Sequence, residues 1–256
     1  MRVTGQQIQD GINAGLEILK PIGYFWIALF AVSRLTTAAA DETPPPPYFV
    51  GKVEAVVIGV GYDESRIREM LPKGVQMAPG ATGQIVLYTA TDSYGFPPYS
   101  STFAGVDLEG FDAPGGAKAR WMLTGLYGPE NVSIALAKYF DYPVREGATR
   151  LEHDGQRVVA IGTTAGHQVI RAEVVLKPES CKPGTGLIHE VTRKSGTGGM
   201  QLIKIPYVAD WCPADSAKID ITAPTSDPLG RLSSVKVLWA GIWRGGFGWS
   251  SPVSGH

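Results

Sequence analysis

Few residues in this chain carry obvious chemistry, and they stand far apart. The 4 histidines, His153, His167, His189 and His256, show no spacing that would bring two of them to one metal ion. Cys181 and Cys212 form neither a CxxC pair nor a metal-ligand pattern. Two free thiols are expected, with a disulfide between them as the alternative. No GxSxG, HExxH, P-loop or GxGxxG in a βαβ setting occurs, so the common hydrolase, zinc-protease and nucleotide-binding chemistries are not indicated. No metal or cofactor is expected. His153 falls at a turn, and His189 with Glu190 falls in a segment read as half exposed. Gly245, Gly246 and Gly248 precede no helix, so they predict a tight turn between strands rather than a phosphate cradle. The aromatic residues are more suggestive. Tyr94, Phe96, Tyr99 and Phe103 flank a proline-rich loop and can wall a cavity mouth. Trp239, Trp243, Phe247 and Trp249 make a dense aromatic end that suits strand closure or a hydrophobic ligand.

The stretch Asn131–Gly155 organises the elements around these residues. Ala135, Leu136, Tyr139 and Phe140 recur at helical spacing, which predicts a short helix with one apolar face. A residue before proline is pushed out of helical geometry, so the helix should end near Asp141 or Tyr142. After Pro143 the chain is extended, with Val144 and Arg145 at a strand start. Asp154-Gly155 should turn the following hairpin.

The chain has 256 residues, 44% hydrophobic and 18% charged, enough for a sizeable core in one large domain or two small ones. Formal net charge is -1 with no basic stripe, so nucleic acid is not an expected partner. The 32 glycines and 19 prolines are spread along the chain and predict many turns, hence many strands. The first 47 residues read as a separate unit. Gln6–Lys20 predicts an amphipathic helix with Ile8, Ile12, Leu16 and Leu19 on one face. The apolar run from Ile22 to Val32 is too short to span a bilayer. The Ala-rich segment after it resembles a signal cleavage site, yet Asp10 and Glu17 do not suit a signal peptide. The expectation is a cytoplasmic protein whose N-terminal segment packs on the body or on a partner subunit. Secretion and membrane contact are the alternatives. Asp41–Pro47 predicts a stiff polyproline connector.

From Tyr48 the pattern is β. Strands are predicted at Tyr48–Val60, Gln84–Ala90, Phe103–Ala113, Ala119–Tyr127, Thr149–Thr164 as a hairpin, His167–Lys177, Met200–Trp211, Ser216–Pro224 and Val235–Trp249. Asp63 predicts the cap of a helix ending at Pro72. This is a β-rich α+β chain, predicted to form one closed or partly closed antiparallel sheet with a few flanking helices.

The order of elements resembles the acetoacetate decarboxylase superfamily. The resemblance runs from about residue 48 to the end. It rests on Asp63-Glu64-Ser65 with the helix ending Met70-Leu71-Pro72-Lys73-Gly74, on Asp107-Leu108-Glu109 where the family has aromatic-x-Glu, and on Ala135–Arg145 where it has Gly-Arg-Glu-x-x-Gly-Phe/Tyr-Pro-Lys-Lys. The final parallel is Lys218–Trp249, with its Asp227-Pro228-Leu229 corner. The resemblance implies a cone-shaped antiparallel β-barrel around a small-molecule cavity, in a homo-oligomer. It also implies a lysine that attacks a keto acid as a neutral amine, activated by desolvation and a neighbouring cation.

Tyr142 and Pro143 match that pattern, but Val144 and Arg145 stand where its two lysines would be. Valine has no nucleophile, and arginine stays protonated. A Schiff base at this position is therefore excluded. Lys138 or Lys118 would have to serve as a relocated amine. Glu109 matches the family's acidic cavity residue. Buried, it would serve as general acid or base; facing solvent, it would not. Arg145 would hold an oxyanion. Tyr142, Val144, Tyr94, Phe103 and Trp243 are the candidate substrate contacts. The expected function is a non-decarboxylating enzyme of secondary metabolism. It would dehydrate, isomerise or cyclise a small hydrophobic keto or polyketide-like compound. A hydrophobic small-molecule carrier and a decarboxylase with a relocated lysine are the alternatives.

Overall fold

The computed structural model describes residues 43–177 and 180–254. The helix, apolar segment and cleavage-site readings before residue 43 lie outside the described residues. Strands β1 (Tyr48–Gly61), β2 (Thr82–Tyr94), β3 (Tyr99–Asp107) and β4 (Arg120–Gly128) form an antiparallel meander. Helix α1 (Glu64–Met70) joins β1 to β2, and Asp63 caps it by accepting from the Ser65 and Arg66 amides. Helix α2 (Glu130–Phe140) follows β4 and leads into β5 (Val144–Glu146). The antiparallel set β6 (Ala148–Asp154), β7 (Arg157–Thr164) and β8 (His167–Leu176) comes next, with the predicted turn at Gly155. Strands β9 (Lys182–Arg193), β10 (Met200–Ile221), β11 (Lys236–Trp249) and β12 (Val253–Ser254) complete the described chain.

The pairings form a circuit. β11 pairs with β1 on one side and β10 on the other, β10 pairs with β9, and β9 meets the meander at β4. The β4–β9 contact is parallel and holds only the Arg120↔Glu190 and Trp121↔Val191 partners. The far half of β10 leaves this circuit after Pro213 and pairs with β8. One strand thus serves two sheets, and the Met200–Trp211 and Ser216–Pro224 segments, predicted as separate strands, form a single strand of 22 residues.

Strands such as β1 are buried on both faces, which is why their sequence alternates poorly. One face, with Val56, Ile58, Ile85, Leu87 and Val106, packs against Val158, Ala160, Ile170 and Val174 of β7 and β8. The other face, with Val53, Ala55, Val86 and Tyr88, looks into the circuit. Helix α2 presents Val132, Leu136 and Phe140, each fully buried, to that interior cluster. Burial of each such side chain contributes about 1.5–3 kcal/mol, which holds a helix of only 11 residues in place.

Three predictions need correction. Gly245, Gly246 and Gly248 form no turn; they lie within β11, where the chain passes close to Val50 and Gly51 of β1. Lys182–Arg193 is a strand exposed over Lys182–Thr185, but His189 and Glu190 fall in its buried half. Cys181 and Cys212 are joined in a disulfide. They flank the Lys182↔Trp211 pair of β9 and β10, so sheet register brings them together although 31 positions separate them in sequence.

Candidate active site

The alternation of β1, β10 and β11 aims one set of side chains into the circuit. Val53, Ala55 and Val57 come from β1, Ile205, Tyr207, Ala209 and Trp211 from β10, and Trp239, Trp243, Phe247 and Trp249 from β11. They enclose a cavity of about 340 Å3. Most of its wall is aliphatic or aromatic. Its polar groups are concentrated in Gln84, Tyr88, Arg120, Tyr127 and Glu190.

Glu190 is the central polar group. Its side chain is 7% exposed and reaches the cavity because the parallel β4–β9 contact sets it beside Arg120. Burial pushes its carboxyl above the usual value of 4.5, opposed by a hydrogen bond from Tyr142 and by the charge of Arg120. Tyr142 Oη donates to Glu190 Oε2. Burial, with the adjacent carboxylate second, holds the Tyr142 phenol far above 10, so it remains a donor.

The local sequence of the helix end places Tyr142. Helix α2 stops at Asp141, which takes the left-handed conformation with φ 54°. This reverses the chain ahead of Pro143 and turns Tyr142 inward, where its ring stacks on Phe140 at 5.4 Å. Arg120 is anchored from behind, Nε donating to Asp107 Oδ1 at 3.3 Å, while Asp107 Oδ2 accepts from Thr82 Oγ1 at 2.8 Å. Tyr88 and Tyr99 share a hydrogen bond of 2.9 Å. Two residues of the cavity lining carry weakly engaged buried donors: Trp249 Nε1 has no hydrogen-bond partner among the described residues, and Tyr127 Oη meets only the Ser101 and Tyr88 hydroxyls.

The predicted site residues divide. Phe103 and Trp243 line the cavity. Tyr142 lies behind it, hydrogen-bonded to Glu190. Val144 is half-buried and packs on the interior cluster without lining the cavity. Tyr94 is 51% exposed at the end of β2, beyond the cavity rim. Glu109 is exposed and outside the cavity, because β3 ends at Asp107 and the chain bends away as the Glu109 amide bonds to Gln76 O. Arg145 also lies off the cavity. It donates to both carboxylate oxygens of Asp227 at 2.6 Å and to Thr124 Oγ1 at 3.0 Å, fastening β5 to the Asp227 corner. Trp211 and Cys212 sit within β10.

Sequence reasoning missed Glu190 and Arg120. The available signal was a lone carboxylate inside Ile188–Thr192, on the same strand face as Ile188 and therefore pointing inward. Neither Lys138, which lies over the Tyr139 ring at 5.1 Å, nor Lys118, paired with Asp112 at 2.7 Å, lines the cavity. Among the described residues, no group of three or more histidine, cysteine, aspartate or glutamate side chains is placed to hold a metal. No helix among them is long and apolar enough to cross a membrane.

No family model matches the chain, and no curated protein matches it. Solved structures do. An acetoacetate decarboxylase superposes with a TM-score of 0.64 at 15% identity, over 88% of this chain and 96% of that one. The acetoacetate decarboxylase of Legionella pneumophila gives 0.65 at 12% identity, over 88% and 93%. The enduracididine biosynthesis enzyme MppR, bound to the condensation product of pyruvate and imidazole 4-carboxaldehyde, gives 0.62 at 13% identity, over 82% and 90%. The chain therefore has the acetoacetate decarboxylase-like fold.

Proposed function

We propose that this chain is an enzyme that moves a proton on a small, mostly apolar carbonyl compound without forming an imine, and that the circuit of strands acts as a β-barrel wall around that compound. The observation that carries this reading is Glu190: a buried carboxyl with a raised pKa, facing the cavity, held by a hydrogen bond from Tyr142 and set beside the charge of Arg120. A carboxyl poised closer to neutral pH is suited to both taking and returning a proton. The carboxylate form of Glu190 removes a proton from the carbon next to the substrate carbonyl, and the electron pair passes to the carbonyl oxygen. Tyr127 Oη and Arg120 stabilise that oxygen by hydrogen bonding and charge. Protonated Glu190 then returns the proton at another carbon, which completes an isomerisation. Alternatively it protonates a hydroxyl two carbons from the carbonyl, the carbon–oxygen bond breaks and water leaves, which completes a dehydration. In a ring closure the enolate carbon attacks a second carbonyl of the same chain, and Glu190 protonates the new alkoxide. Among the described residues no lysine lines the cavity, which supports a route free of Schiff bases. The MppR neighbour is bound to the condensation product of pyruvate and imidazole 4-carboxaldehyde, which is in keeping with this reading.

The test is a panel of hydroxylated and unsaturated ketones followed by mass spectrometry, with wild type and Glu190→Gln compared. Loss of water or isomer formation by wild type, abolished in Glu190→Gln with ligand affinity retained, is the expected result. Equal turnover by both overturns the assignment. A second reading, a hydrophobic carrier on the same cavity, is favoured by the aromatic share of the lining, and binding without turnover in wild type would establish it.

A further inference from the structure

The polar and the aromatic parts of the cavity lining define its ligand more narrowly than size and polarity alone. At the polar end, Arg120 is already matched by Asp107, whose other oxygen is taken by Thr82. Beside it, Glu190 is buried and engaged by Tyr142. A carboxylate placed there would lose its water, gain a cation that is already neutralised, and face a second carboxyl. A ligand cation would lose its water as well, and the nearest carboxyl, Glu190, is already engaged by Tyr142. An uncharged oxygen avoids both costs and can accept from the Tyr127 hydroxyl, which otherwise meets only the Ser101 and Tyr88 hydroxyls.

At the mouth, Trp211 and Trp239 meet edge to face, with centroids 5.7 Å apart and planes at 79°. Each indole is seated on a glycine. A Cβ added at Gly59 would fall inside the Trp239 ring, and one added at Gly241 would lie 2.6 Å from Trp211 Cη2. Only glycine lets these rings lie so close to the strand backbone. The same two tryptophans border an outer groove of about 610 Å3, where β10 parts from β11, with Ala214, Ala217, Val237 and Leu238 on its sides. The aromatic corner therefore joins the cavity to a groove of mixed character, lined also by Asp215 and Ser216, on which a longer ligand can continue.

We propose that the cavity selects an uncharged, ring-bearing carbonyl compound, its oxygen at the Tyr127–Glu190 end and its ring against Trp211 and Trp239, and that it rejects keto acids bearing a carboxylate. This rests on the reading of Glu190 as the reacting end.

The test titrates the full chain, by tryptophan fluorescence and calorimetry, with 4-phenyl-2-butanone, 3-phenylpropionate, 3-phenylpropylamine and the ring-free 2-heptanone. The aryl ketone should bind roughly tenfold or more tighter than each of the other three. Gly59→Ala, which keeps the tryptophan but unseats it, and Trp239→Leu should each remove most of that preference. Equal or tighter binding of the carboxylate or the amine overturns the claim on charge. An unchanged preference in a folded Gly59→Ala or Trp239→Leu variant overturns the claim on the ring, as does the absence of binding by all four probes. Selective binding of the aryl ketone with no turnover of any carbonyl compound would remove the enzyme reading and leave this one. Turnover indifferent to ring and charge would do the reverse.

Discussion

Tyr142 and Glu190 lie 48 residues apart in sequence, yet the phenol of one donates directly to the buried carboxyl of the other. The contact depends on a helix that ends in a left-handed residue and on a strand that closes a sheet. It gives a residue outside the cavity control over the protonation of one that lines it.

Tyr142→Phe should therefore act through Glu190. The lost hydrogen bond held the Glu190 pKa down against burial, so the pKa rises further. If the carboxylate is the base, the acidic limb of kcat/KM against pH moves to higher pH. The buried carboxyl also loses its donor, which should cost about 1–3 kcal/mol of stability. A pH–rate profile together with urea unfolding checks both. An unmoved limb would mean that Tyr142 only fills space.

Glu190→Gln should change how stability depends on pH. A carboxyl whose folded pKa is raised binds its proton more tightly in the folded state. Its stabilising contribution is complete below the unfolded value of about 4.5 and is lost as pH rises through the folded pKa. The variant, which has nothing to ionise, should gain melting temperature relative to wild type as pH increases across that window. Parallel melting curves at several pH values decide it, and a constant difference between the two proteins would show that Glu190 does not titrate there.

Arg145→Met should lower stability without changing the cavity. The guanidinium is about a third exposed and joins Asp227 to Thr124. Removing it should cost roughly 1–3 kcal/mol. Affinity for a cavity ligand should stay within about twofold, since no cavity contact is lost. A large drop in affinity with unchanged stability would return Arg145 to the site.

The Cys181–Cys212 crosslink should survive purification without reductant. Intact-mass analysis should show no thiol alkylation before reduction and two adducts after it. A disulfide closing a loop of this length stabilises by about 3–4 kcal/mol in the chain-entropy model, so Cys181→Ser with Cys212→Ser should melt well below wild type. Such bonds persist in oxidising compartments, so the crosslink bears on the choice between export and the cytoplasm. A fusion of residues 1–45 to a phosphatase active only outside the cytoplasm should be active; a silent fusion would argue for the cytoplasm.

Local pattern determined much of this protein. The capped helix after Asp63, the apolar face of α2, its stop before Pro143, the turn at Gly155 and most strands follow from spacing and backbone preference over a few residues. The exclusion of an imine at Val144 also needed only residue identity. The site was decided elsewhere. Glu109 and Arg145 stand at positions that match a motif, but where a side chain points depends on where its strand ends and what packs behind it. Glu190 and Arg120 become neighbours only when β9 joins β4, and Cys181 meets Cys212 only in the register of β9 with β10. Burial, charge pairing and crosslinking are properties of contacts between distant segments, and no window of local sequence carries them.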